Sequence, residues 1–82
     1  MKYYVNSVEQ IVGDEEGTYS EYSKSEKCDD YNTALTKYYK KLSDVAADIG
    51  TNHTYMNIAV VTSVGTVLKY DNVGGYVESE AV

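Results

Sequence analysis

Hydrophobic and polar residues alternate along four segments of the chain, and this alternation predicts β-strands. The segments span residues 2–12, 18–27, 54–63 and 66–71. The first is partly apolar on both faces, which indicates either a β-bulge that shifts its register or a strand with two apolar sides. The second, TYSEYSKSEK, is polar along its whole length, as is typical of an edge strand whose charges discourage pairing with other chains.

A helical period follows the second strand. Apolar residues recur there at spacings of four, three, four, three and four, and they are Tyr31, Leu35, Tyr38, Leu42, Val45 and Ile49. Such a stripe is typical of a helix that lies across one face of a sheet, and we expect the hydroxyls of its two tyrosines to point outward. Asp29 or Asp30 can cap the first turn, because a carboxylate accepts the free backbone N–H groups there, and Gly50 can end the helix.

The glycines predict the remaining connections. Residues 13–17 and 63–65 are predicted to be tight turns, and residues 72–76 a flexible one. A hairpin on each side of the helix predicts an α+β fold, ββαββ, in which an antiparallel sheet of about four strands carries one helix on one face. We expect one domain over residues 1–76 and a short acidic tail over residues 77–82.

One face of such a sheet has no helix to cover it. In the third strand, the side chains of Met56, Ile58, Val60 and Thr62 point one way. Those of Tyr55, Ala59 and Val61 point the other way, so we expect them to line the uncovered face. They would form an apolar patch of the kind that marks an interaction site.

Charge restricts the class of partner. The chain has 82 residues with 13 Asp and Glu against 7 Lys and no Arg, so its formal net charge is −6. This charge opposes direct binding to nucleic acid or to an anionic membrane, and favours a basic protein such as a nucleic-acid-binding nuclease. Alternatively, the charge simply keeps a small protein soluble. We also expect a cytoplasmic location, because no export signal or membrane-length apolar run is evident.

Size and cysteine content bear on stability. A chain this short buries a modest core, and its single cysteine, Cys28, cannot form an intrachain disulfide. Self-association into a homodimer is therefore the expected support.

Few residues could carry catalysis. His53, between Asn52 and Thr54, could be a general base or an ordinary polar loop residue. Cys28 precedes the helix, but two neighbouring carboxylates oppose a reactive thiolate. The acidic turn at residues 14–16 lacks the spacing of a calcium loop. We therefore expect no enzyme activity, no cofactor and no metal site.

Acidic and aromatic residues outside the core stripe are the candidates for binding. Negative charge near a helix C-terminus is unfavourable, so acids there can mark either a functional patch or an untuned surface. Tyrosine supplies large contact area at low entropic cost, and tyrosines beside acids could imitate the bases and phosphates of a nucleic acid. Dimer contacts would explain the same residues. The predicted protein-binding residues are Tyr19, Glu21, Tyr22, Asp29, Asp30, Tyr39, Asp44 and Asp48.

The start MKYYV, the helix segment DYNTALTKYYKKL and the paired strands after it carry a resemblance. With these features the chain resembles small, acidic proteins of phages and mobile elements of Gram-positive bacteria, some of which are anti-CRISPR or other anti-defence inhibitors. The resemblance implies inhibition of a nuclease complex in a bacterial host cell, and it transfers no site residues. Two alternatives stay open: an oligomer that sequesters a nucleotide signal, with Lys37, Lys40 and Lys41 at its pocket, or a structural accessory protein.

Overall fold

Four antiparallel strands and one helix make up the computed structural model, which describes residues 1–78. The elements are β1 (Tyr3–Val12), β2 (Tyr19–Cys28), α1 (Tyr31–Asp48), β3 (His53–Thr62) and β4 (Val67–Gly74). The strands lie in the order β2-β1-β3-β4, so β2 is an edge strand as its polar sequence predicts. The predicted ββαββ order and α+β class are confirmed. None of the helices in the described part of the chain is long and apolar enough to cross a membrane.

β1 lies at the centre of the sheet and pairs with both β2 and β3. Its pairing with β3 is interrupted between Gln10 and Ile11, where the register shifts. This irregularity fits the first of the two alternatives for the mixed pattern of this strand, a β-bulge that shifts its register. Because successive side chains of a strand point to opposite faces, Glu9 and Gln10 lie on opposite sides of the sheet, and both are buried.

The core lies between α1 and one face of the sheet. Its buried members from the strands are Val5, Cys28, Met56, Ile58 and Val60, and those from the helix are Ala34, Tyr38 and Val45. The predicted stripe of α1 therefore does face the sheet. The expectation for Tyr38 is wrong in one respect: its hydroxyl does not reach solvent but donates a hydrogen bond to the carboxylate of Asp71 on β4.

Both ends of α1 have the local structure that stops a helix. The Asp30 carboxylate accepts hydrogen bonds from the backbone N–H and the hydroxyl of Thr33, at 2.8 and 2.9 Å. Asp29 instead forms an ion pair with Lys2, so Asp30 is the cap. At the other end Gly50 has a φ of 89°, a conformation that glycine adopts without a steric penalty.

The last strand is longer than the sequence suggests. The prediction of a flexible turn at residues 72–76 is wrong for residues 72–74, which continue β4 and pair with β3. Gly74 has a φ of 71°, and a Cβ atom there would lie 2.2 Å from the carbonyl oxygen of Thr54. The lack of a side chain therefore lets the two strands stay paired to the end of β4.

Residues 75–78 then run over the sheet face that α1 leaves free, which is called the open face below. The backbone N–H and carbonyl of Val77 bond to the side-chain amide of Gln10, at 2.8 and 2.6 Å. These bonds explain how Gln10 is buried on a face without a helix. Of the predicted acidic tail, residues 79–82 lie outside the described residues.

The open face is less apolar than expected. Tyr55, Ala59 and Val61 do belong to it, but Ala59 is buried and Tyr55 is half-buried beneath Tyr76, whose ring packs edge-on at 5.8 Å. Hydrogen-bonded polar side chains occupy much of the rest: Asn6 with Ser25, and Asn72 with Tyr55, Asn57 and Tyr70. The interpretation of this face as a simple apolar patch is therefore wrong, because short polar residues from all four strands interrupt it.

Candidate functional site

Three predicted binding residues lie together near the start of β2. Glu21 is opposite Gln10, which places it on the open face together with Tyr19. Tyr22 is opposite Glu9 and points to the other face, with 56% of the residue exposed. The β1–β2 turn, with its three acids, is adjacent to them in the sequence. This end of the sheet therefore combines tyrosines with carboxylates.

Tyr76 adds a further aromatic ring to this group. Its hydroxyl lies 3.3 Å from the carboxylate of Glu21, to which it donates a hydrogen bond. The negative charge of Glu21, followed by burial and this hydrogen bond, raises the pKa of the Tyr76 hydroxyl. Tyr76 is absent from the predicted binding residues, because residues 72–76 were predicted to be a flexible turn. The segment around Tyr76 and Val77 is too short for a pattern of apolar and polar residues that would place Tyr76 on the sheet.

The other predicted residues lie elsewhere. Asp29 and Asp30 follow the far end of β2, about 30 Å along the strand from Tyr19 at ~3.3 Å per residue. Tyr39 lies on α1 above the opposite edge strand, with the ammonium group of Lys69 5.7 Å from its ring centroid. The structure therefore does not bring the eight predicted residues into one surface.

The acids near the end of α1 have local partners. Asp44 forms an ion pair with Lys40, one turn earlier in the helix, with 3.0 Å between the carboxylate and the ammonium group. Asp48 lies 2.6 Å from Nδ1 of His53. Both pairs bring positive charge to the negative end of the helix dipole, so the unusual acids at this end are explained by structure as well as by any binding role.

His53 is the centre of a partly buried group of charges, called the histidine cluster here. His53 is the first residue of β3, so the interpretation of His53 as an ordinary polar loop residue is wrong. Its Nε2 lies 2.8 Å from Glu9 Oε1, and its Nδ1 contacts Asp48. The second oxygen of Glu9 lies 2.9 Å from the ammonium group of Lys41. Only 16% of the His53 side chain and 10% of the Glu9 side chain are exposed.

The pKa values of the cluster follow from these contacts. Burial alone would lower the pKa of His53, but the hydrogen bonds to Asp48 and Glu9 outweigh it and raise the pKa above 6.5. Burial alone would raise the pKa of Glu9, yet the bonds from Lys41 and His53 lower it below 4.5. The hydrogen bond from His53 is the main reason that the pKa of Asp48 is lowered.

This geometry does not support the alternative of His53 as a general base. A ring with carboxylates on both nitrogens is favoured in its doubly protonated form, because each nitrogen must then donate. Neither nitrogen is left to accept a proton from a substrate. Within residues 1–78 there is also no set of three or more His, Cys, Asp or Glu residues placed to hold a metal ion.

Lysines gather on the other flank of α1. A cavity of about 280 Å³ lies between the helix and strands β1 and β2, and it is called the lysine groove here. Its lining residues are Val5, Ser7, Lys24, Glu26, Lys37, Lys40, Lys41 and Asp44. The three helix lysines were predicted from the sequence as candidates for a pocket. Lys24 was not, because it belongs to β2 and no local sequence pattern indicates that β2 faces these lysines.

Carboxylates without a cationic partner gather at the turn end of β1 and β2. Five carboxylates in residues 1–78 form no ion pair, cap no helix and accept no hydrogen bond from Tyr38. They are Asp14, Glu15, Glu16, Glu21 and Glu78. We define the hairpin-end surface as Asp14, Glu15, Glu16, Tyr19, Glu21, Tyr22 and Tyr76. Most of the uncompensated negative charge of the described chain therefore lies at one end, beside three tyrosines.

The chain matches none of the family models, curated proteins or solved structures with which it was compared.

Proposed function

We propose that this protein is a non-catalytic inhibitor that binds a basic, nucleic-acid-binding protein through its hairpin-end surface. The observation that carries the proposal is the separation of charge within the fold. On the helix side four carboxylates have cationic partners, while Asp30 caps α1 and Asp71 accepts a hydrogen bond from Tyr38. Asp14, Glu15, Glu16 and Glu21 form no ion pair within residues 1–78. Uncompensated charge on one surface attracts an oppositely charged partner and speeds their encounter.

The tyrosines of this surface supply the contact area that charge alone lacks. Tyr19 and Tyr76 keep part of their rings accessible beside Glu21 on the open face, and Tyr22 is exposed on the other face, so the surface wraps around the edge strand β2. Tyrosine is enriched at protein interfaces because it offers a large, stiff ring and a hydroxyl. Rings and carboxylates side by side present the same two chemistries as the bases and phosphates of a single strand. A nuclease of a host defence system is a partner of this kind, and occupation of its nucleic-acid groove would inhibit it.

The structure changes which residues we assign to the interface. Asp30 caps α1 and Asp48 belongs to the histidine cluster, so replacing either would disturb the fold before it tested binding. Asp29 and Asp44 are exposed but paired with lysines. Tyr19, Glu21 and Tyr22 remain from the original set, and Tyr76 and the acidic turn join them.

Binding can be tested with a charge-reversal variant and a matched control. The partner is first isolated from host lysate with the wild-type protein as bait and purified. Its affinity is then measured for the wild type, Glu21→Lys and Asp29→Lys, the last carrying the same charge change at the opposite end of the sheet. We expect Glu21→Lys to weaken binding about tenfold and Asp29→Lys to change it little, because only the first faces the partner.

Two further readouts identify the mode of action. Affinity should fall as salt is raised, and the wild-type protein should displace a labelled oligonucleotide from the partner. Equal effects of the two charge reversals, or a ternary complex in which the oligonucleotide stays bound, would contradict the proposal.

A further inference from the structure

The lysine groove is a second charged feature, separate from the hairpin-end surface. It brings together four of the chain's seven lysines, one from β2 and three from α1. Only two carboxylates, Glu26 and Asp44, share the lining with them. The groove is therefore locally positive on a protein whose formal net charge is −6. Concentrating cations against the overall charge favours an anion as the occupant.

The lysines of the groove are incompletely neutralised. Glu26 is shared between Lys24, at 3.6 Å, and Lys37, which contacts its other oxygen. Glu9, the partner of Lys41, also serves His53. Asp48 balances His53 in turn, so the excess positive charge comes from Lys24 and Lys37, which share the single carboxylate of Glu26.

These ion pairs can also be exchanged for contacts with a ligand. The lysine side chains are between 36% and 76% exposed, so water already competes for their partners. An anion with several oxygens can then contact two or more ammonium groups without removing a buried charge pair.

We propose that the lysine groove binds a small phosphorylated molecule. A phosphate group carries up to two charges and several acceptor oxygens, and lysine binds it as a point charge from several directions. Ser7 and Val5 also line the groove, so a hydroxyl donor and an apolar contact are present beside the ammonium groups. The volume of about 280 Å³ is near the lower end of ligand pockets, which suits a metabolite and not a polymer.

The test uses three probes and amide chemical shifts. Inorganic pyrophosphate, adenosine 5′-monophosphate and adenosine are titrated into ¹⁵N-labelled protein at constant ionic strength, up to about 10 mM, since weaker binding would not be specific. The first two should cause saturable shifts at residues that line the groove, such as Ser7 and Lys24. Adenosine lacks the phosphate group and should cause none.

A pair of double variants separates the groove from general charge. Lys37→Gln/Lys40→Gln removes two groove lysines, whereas Lys27→Gln/Lys69→Gln removes two lysines outside it with the same change in charge. We expect the first to weaken binding about tenfold or more and the second less than about twofold. Thermal melts are recorded for both variants, and we expect both to be folded because all four side chains are exposed.

Three results would overturn the proposal: no saturable shift with either phosphate probe, shifts centred outside the groove, or equal weakening in both double variants. Because the groove lysines are not part of the hairpin-end surface, such a failure would leave the test of partner binding unaffected.

Discussion

Replacing His53 with glutamine removes the cation that joins β1, β3 and the end of α1. The wild-type ring makes two hydrogen bonds to carboxylates, at 2.8 and 2.6 Å. Breaking a fully buried ion pair costs about 3–5 kcal/mol. The loss should be smaller here because Lys41 still neutralises Glu9 and because Asp48 can turn to solvent. We therefore expect His53→Gln to lower the free energy of unfolding by about 2 kcal/mol at pH 6.

The size of this loss should depend on pH, with a sign set by the shifted pKa values. The pKa of His53 is raised in the folded state, so its contribution is fully present below pH 6.5 and is lost as pH rises through the folded value. The pKa values of Glu9 and Asp48 are lowered, so their contributions are present above 4.5 and 3.8 and are lost as pH falls through the folded values. The difference in free energy of unfolding between wild type and variant should be largest from about pH 5 to 6.5, and it should decrease as the pH rises through the folded pKa of His53.

Urea unfolding followed by circular dichroism at pH 6 and pH 9 measures the difference directly. At pH 6 the expected loss corresponds to a decrease in Tm on the order of 10 °C. Lys40→Gln is the control, because it breaks an exposed pair with Asp44 and should have little effect at either pH. A loss of the same size at pH 6 and pH 9 would refute the electrostatic reasoning and assign the effect of His53 to packing alone.

Two further predictions concern the buried tyrosine and the end of β4. Tyr38→Phe removes a hydroxyl whose pKa is raised by burial and by the bond to Asp71, and it should lower the free energy of unfolding in urea by about 1 kcal/mol. The control Tyr22→Phe changes an exposed residue and should have no measurable effect. Equal effects of the two variants would contradict this assignment. Gly74→Ala should lower the free energy of unfolding by about 2 kcal/mol or more, because the φ at residue 74 is positive and the new Cβ would collide with a carbonyl oxygen. The control Gly75→Ala has open space around it and should be nearly neutral. A Gly74→Ala protein as stable as the wild type would show that β4 can end earlier without loss of stability.

Periodicity was sufficient to predict the secondary structure and the helix-covered face. The alternation in β3 places Met56, Ile58 and Val60 in the core, and the stripe of α1 does face them. These patterns are local, and a side chain's face depends only on its position within its own element. The ends of elements were predicted less well, because Gly74 follows no periodic pattern and its role depends on contact with a neighbouring strand.

The charged groups could not be predicted in the same way. Glu9 and His53 are 44 residues apart, and they meet only because β3 pairs with β1 after the helix crosses the sheet. Lys24 and Lys37 meet at Glu26 for a similar reason, since one flank of α1 lies above β2. A charge at a surface position has many potential partners, and the choice among them depends on strand order, which alternation does not determine. The acids of the hairpin end were recognisable from the sequence, but their lack of counter-ions was not.

The central position of β1 has a consequence for how the chain acquires its structure. Tyr3 pairs with Thr62, so the middle of the sheet joins segments about 60 residues apart in a chain of 82. During synthesis β1 and β2 emerge first, yet an isolated two-stranded hairpin is marginal in water. Stable folding must therefore wait until β3 has left the ribosome, and until then the apolar side of β1 stays accessible to chaperones and to other nascent chains.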